Sequence, residues 1–138
     1  MAATTYTKNK VLDYLFGKQA FTPADTIYAG LCTACDNAGT VTGEPSTTVG
    51  YDRIAITNND VATVWSTASN GVKTNANGKI QFGTVTSSDW GTLPVFFLSD
   101  GSTAGNILWH STMTAPLITS VGMAPFVDNS NLTLTITT

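Results

Sequence analysis

The sequence predicts a mainly β protein: a single antiparallel β-sandwich, jelly-roll-like, with one N-terminal α-helix. Three observations carry this. Thr, Ser and Asn supply 25, 10 and 10 of the 138 residues, and Thr favours strands while Ser and Asn favour turns. Only 11% of residues are charged, with one Glu (Glu44) and one Arg (Arg53); this excludes the Ala/Glu/Lys/Leu/Arg-rich composition of coiled coils and long helices. Short apolar runs are divided by turn signals at about 8–12-residue spacing, as in sandwiches and barrels. No repeat or composition break marks a second domain, so residues 1–138 read as one.

The helix is expected over about residues 7–16, with Thr7 as N-cap. Val11, Leu12, Leu15 and Phe16 repeat along one face, and Gly17 stands where a C-cap glycine belongs. Phe21-Thr22-Pro23 then prevents continuation. Strands are expected from about residue 26 to 137. Thr26 to Cys32 is apolar on both faces, which suggests a strand buried on both sides. Asp36 to Gly50 reads as a long loop, and Tyr51 to Thr57 alternates again. Asn70-Gly71 and Asn77-Gly78 are tight-turn signals between short strands around Val64-Trp65, Val72-Lys73 and Ile80-Phe82.

Ser87 to Gly91 is a polar connection carrying Trp90. Pro94 to Leu98 is the most apolar strand, and after the turn Asp100 to Gly105 a paired strand follows from Asn106 to His110. Val121 to Asp128 and Leu132 to Ile136 complete the set. In the last, Leu and Ile alternate with Thr, the mark of a half-buried antiparallel strand. The expected core comprises Leu12, Leu15, Phe16, Ile27, Leu31, Ile54, Ile56, Phe82, Phe97, Leu108, Leu134 and Ile136.

The formal net charge is −3. Six scattered Lys and Arg form no basic patch, so no nucleic-acid partner is expected. No apolar run is long enough for a membrane span. Met1 to Lys10 lacks the apolar stretch of a signal peptide, which implies synthesis and folding in a cytoplasm.

Residues that could carry chemistry read mostly as structure. Cys32-x-x-Cys35 has no helix after it to lower a thiol pKa, and too few other Cys and His exist for a zinc site. Buried or half-buried thiols are expected instead. His110 is the sole histidine, and no nucleophile elbow accompanies it. Most carboxylates fall in turns, where Asp caps the backbone. No calcium or phosphate-binding motif is present. Catalytic residues, metal and cofactor are therefore all expected to be none. Among Trp65, Trp90, Trp109, Tyr28 and Tyr51, core packing is the main reading. Trp90, in its polar loop beside Asp89, is the candidate surface contact together with Asp89.

Several segments resemble a family of small virion proteins of tailed bacteriophages, often labelled tail fibre or minor structural proteins. They are Val11-Leu12-Asp13-Tyr14-Leu15-Phe16-Gly17, Thr22-Pro23, Ile27-Tyr28-Ala29-Gly30-Leu31 and Gly50-Tyr51-Asp52-Arg53. Further along come Ser88-Asp89-Trp90-Gly91-Thr92, Phe96-Phe97-Leu98-Ser99-Asp100, Gly105-Asn106-Ile107-Leu108-Trp109 and the ending Leu132 to Ile136. The Cys32–Cys35 pair and the stretch Asn58 to Lys79 depart from the pattern. The resemblance implies a virion structural role without catalysis.

Three function classes follow. The first is a capsid decoration (cement) protein, a homo-oligomer (trimer) that binds the major capsid protein or other virion structural proteins. The second is a tail-fibre or tail-tip module that touches the host surface or its glycans. The third, an enzyme such as a depolymerase, lacks an evident acid pair.

Overall fold

The computed structural model describes residues 1–17, 19–20, 22–57, 65–75 and 78–135. The chain runs β1 (Ala2–Ala3), α1 (Thr5–Leu15), β2 (Thr26–Cys32), β3 (Ala34–Cys35), β4 (Val41–Thr42), a 3₁₀ turn (Thr47–Val49) and β5 (Ile54–Thr57). It continues through β6 (Val72–Thr74), β7 (Ile80–Gln81), β8 (Thr92–Ser99), β9 (Ile107–Ile118), β10 (Phe126–Val127) and β11 (Thr133–Thr135). All pairings between these strands are antiparallel, as the sequence predicts.

The centre is a five-stranded sheet in the order β1-β9-β8-β2-β5. Its middle strands are the most apolar ones, because both of their faces are covered. On one face Ala29 and Leu31 of β2 and Phe96 and Leu98 of β8 meet Tyr51, Trp65, Ile80, Phe82, Val85, Trp90 and Leu132. The two-stranded ladders β7–β10 and β6–β11 bring several of these residues into a second layer. On the other face Cys32, Val95, Phe97 and Ile107 pack with Cys35 and Val41 of the β3–β4 hairpin. Burial at about 25 cal/mol per Å² of apolar surface makes these two layers the main stabilising term.

Gly30 of β2 lies directly across from Phe97 of β8. A Cβ there would collide with the Phe97 ring, so glycine is what lets the ring lie flat on the sheet. The Asn70-Gly71 turn forms as expected: both residues have positive φ, and Ser69 bridges Val72. Asn75, fully buried, fastens the ladders: its Oδ1 accepts from Leu132 N (2.9 Å) and its Nδ2 donates to the Asp128 carbonyl (2.7 Å).

Strand β9 is much longer than expected and irregular. Between the pairs Val95–Thr112 and Leu93–Leu117 it advances three residues more than β8, so part of Met113 to Pro116 bulges from the ladder. In contrast, the strand expected over Val121 to Asp128 shrinks to Phe126–Val127. The loop expected over Asp36 to Gly50 contains β4 and the 3₁₀ turn. Leu31, Ile56, Phe82 and Phe97 are buried as predicted, while Ile27, Ile54, Leu108 and Leu134 are half-buried. Phe21, Val64, Asn77, Ile136 and Thr137 lie outside the described residues.

The helix requires a correction. It begins two residues early and is capped by Thr4 rather than Thr7. Leu12, Leu15 and Phe16, assigned to the core from their spacing, are 53%, 65% and 82% exposed. The cause is the anchoring of the first turn. Thr4 N donates to the Leu108 carbonyl (3.0 Å), Thr4 Oγ1 donates to the Ile107 carbonyl, and Thr7 Oγ1 donates to the Leu108 carbonyl (2.8 Å). These bonds to β9 fix the rotation of α1 about its axis. Tyr6, Thr7, Lys10 and, of the expected stripe, Val11 then face inward, while Leu12, Leu15 and Phe16 face out.

Candidate functional site

Arg53 and Glu44, the only residues of their kinds in the chain, are paired with each other. Arg53 Nε donates to Glu44 Oε1 and Nη2 donates to Oε2, both at 2.8 Å. Nη1 donates to Ser99 Oγ and to the carbonyls of Gly101 and Ala104, each at 3.0 Å. The guanidinium also sits 4.9 Å from the centre of the Phe97 ring that covers Gly30. Such bidentate, stacked geometry suits Arg and not Lys. The Glu44 hydrogen bonds raise the Arg53 pKa further.

Tyr51 extends the network. Its hydroxyl donates to Glu44 Oε1 (2.9 Å) and accepts from Leu31 N (2.8 Å). Burial pushes the phenol pKa upward, so Tyr51 stays neutral. One cluster thus ties the Glu44 loop, β2, the entry to β5 and the β8–β9 turn together. An open cleft of about 270 Å³ lies beside it, lined by Glu44, Ser46, Asp52 and Thr103 among others. With both Glu44 oxygens engaged, the arrangement is an ion pair and not an acid–base pair.

Trp90 is a core residue, only 6% exposed, which corrects the expectation of a surface platform. Its indole N–H donates to the Val49 carbonyl (2.9 Å), and its ring meets Tyr51 edge-on at 5.3 Å. Its backbone N–H donates to Thr119 Oγ1 (2.7 Å). Asp89 is exposed, and its Oδ1 accepts from Gly91 N (3.2 Å). The Asp-Trp-Gly segment is therefore a corner that turns the chain into β8 and plugs the core. A polar flank marked Trp90 as exposed in sequence; the indole instead crosses the loop and satisfies its one donor inside.

Cys32 is buried and Cys35 half-buried, and both are free thiols. Burial, then the neighbouring Cys35 and Glu44, push the Cys32 pKa up to about 12. Burial also raises that of Cys35. A reactive thiol needs the opposite shift. His110 Nε2 lies 3.1 Å from Asn37 Oδ1, which places its ring in a contact between β9 and the loop after β3. Burial lowers its pKa. Among the described residues, no three His, Cys, Asp or Glu gather as a metal site, and no helix is long and apolar enough to cross a membrane.

The outer surface carries the remaining signal. The outward stripe of α1 is polar at Thr5, Lys8 and Asn9 and apolar at Leu12, Leu15 and Phe16. Behind the same helix lies a cleft of about 280 Å³ whose walls include Tyr6, Val11, Pro23, Ile27 and Trp109. Ile118, Val121 and Met123, at and beyond the far end of β9, are a second exposed apolar group. The sequence signal for the helical surface was present in the 11/12/15/16 spacing; the direction it faces was not.

Compared with protein families, residues 2–135 match the one described as podophage GP4 fiber I protein gp80. No curated protein matches the chain.

Proposed function

Because the chain belongs to the podophage GP4 fiber I protein family, it is a structural component of a phage virion, and we propose that it works in the fibre. Its role there is to hold virion parts together by protein–protein contact, without catalysis. The observation that supports a contact role is the apolar outer face of α1, held outward by threonine hydroxyls. Large exposed apolar patches on small proteins mark interaction sites. Residues 1–138 act as one domain in this reading.

The family's name favours the fibre over the cement role expected from composition. Both roles use the same contact chemistry, so location and stoichiometry separate them. Gold-labelled antibody on intact virions, with quantitative mass spectrometry of the particles, supplies both. Label on the fibres and a few to a few dozen copies per particle is the expected result. Label over the whole shell with hundreds of copies overturns it and restores the cement reading, with the major capsid protein as partner.

A further inference from the structure

We propose that Phe16 of one copy seats in the cleft behind α1 of a second copy. This names a partner for the contact surface, and it rests on the reading of the chain as a virion structural protein. Among the described residues, Phe16 is the most exposed of the large apolar side chains, at 82%. It cannot reach its own cleft, because the wall residues Tyr6, Lys10 and Val11 lie on the inward side of α1 and Phe16 on the outward side.

The cleft fits an aromatic ring in size and chemistry. An apolar cavity of roughly 150 Å³ takes a benzene ring, and this one is about 280 Å³. Its walls are mainly apolar: Val11, Pro23, Ile27, Leu108 and Trp109. At the rim, the Lys10 ammonium already stands 5.8 Å from the centre of the Tyr6 ring. A second ring entering there meets the same cation, a favourable contact for an aromatic guest and not for an aliphatic one. Phe126, also exposed, already has the Lys79 ammonium 5.2 Å from its ring centre. Leu12 and Leu15 flank Phe16 and extend the contact toward the roughly 800 Å² per partner of a stable interface.

Knob and cleft occupy different faces, so the contact is heterologous: each copy gives Phe16 to one neighbour and receives it from another. Analytical ultracentrifugation of the full chain tests this. The wild type should sediment as a multiple of the 14.5 kDa chain. Phe16→Ser, which removes the knob, and Val11→Trp, which fills the cleft, should each be single chains with unchanged circular dichroism. If Val11→Trp fails to fold, Lys10→Trp fills the rim instead. Mixing the knobless and filled variants leaves one intact contact and should stop at a two-chain pair. A wild type that stays a single chain overturns the proposal. So does a Phe16→Ser protein that assembles fully, or a mixture that does not pair. None of these results bears on where the chain sits in the virion, which the labelling decides separately.

Discussion

At the residue scale, stability concentrates where one side chain serves several elements. Arg53 is the clearest case, since its donors reach Glu44, Ser99, Gly101 and Ala104. Arg53→Met leaves a partly buried carboxylate short of its cation. Breaking such a pair costs about 3 kcal/mol, at the low end because Glu44 keeps some water contact. Thermal denaturation should show a Tm roughly 10 °C lower. Adding Glu44→Gln should recover part of the loss, because the stranded charge is then gone. Gly30→Ala tests the opposite limit. The new methyl displaces the Phe97 ring, an overpacking cost of about 1–3 kcal/mol readable in urea midpoints. Cys32 makes a prediction about pH. With its pKa near 12, roughly one thiol in ten thousand is ionised at pH 8. Cys32 should resist a thiol reagent until the protein unfolds, while the half-buried Cys35 labels slowly. The proton held by the folded form also sets the sign of linkage. This contribution is complete below the unfolded pKa of about 8.5 and is lost as pH rises toward 12.

At the element scale, α1 shows what periodicity can and cannot convey. The repeat at Val11, Leu12, Leu15 and Phe16 establishes a helix with an apolar face. It carries no information about which way that face points. Direction comes from Thr4 and Thr7, whose hydroxyls could cap, turn or bond elsewhere, and whose acceptors lie about a hundred residues away on β9. Measured at a concentration low enough that both proteins are single chains, Phe16→Ala should therefore leave stability within about 0.5 kcal/mol of wild type, and not the several kcal/mol a core site would cost. Thr4→Ala should cost about 1–2 kcal/mol, because it removes an N-cap and a buried bond to β9 together. Chemical denaturation of the two variants checks both. The strands were legible where a short run was apolar on both faces, as in Thr26 to Cys32, and where a turn demanded positive φ, as at Asn70-Gly71. They were less legible where pairing depends on a bulge, as in β9, because a bulge is set by the partner strand. For the same reason the site could be glimpsed only in pieces. Glu44 and Arg53 stand out as singular residues, but their pairing depends on a loop whose path the sequence does not state.

At the scale of the whole molecule, the chain is a thin sheet sealed on both faces by small ladders and a few clamps. Its one Arg and one Glu neutralise each other internally, so Asp and Lys carry the outer charge. Little of that charge lies along β9. Beyond the two-residue β1, the outer side of β9 from Ser111 to Ile118 has no paired strand among the described residues. An uncharged bare edge of this kind is a template on which another chain can add and fibrils can grow. The bulge before Leu117 interrupts that template, and Pro116 offers no N–H to a newcomer. The three surplus residues of that bulge thus work against strand addition along this edge. Deleting Thr114 to Pro116 should straighten the edge, and thioflavin fluorescence on incubation should rise in the deletion variant while the parent stays clear.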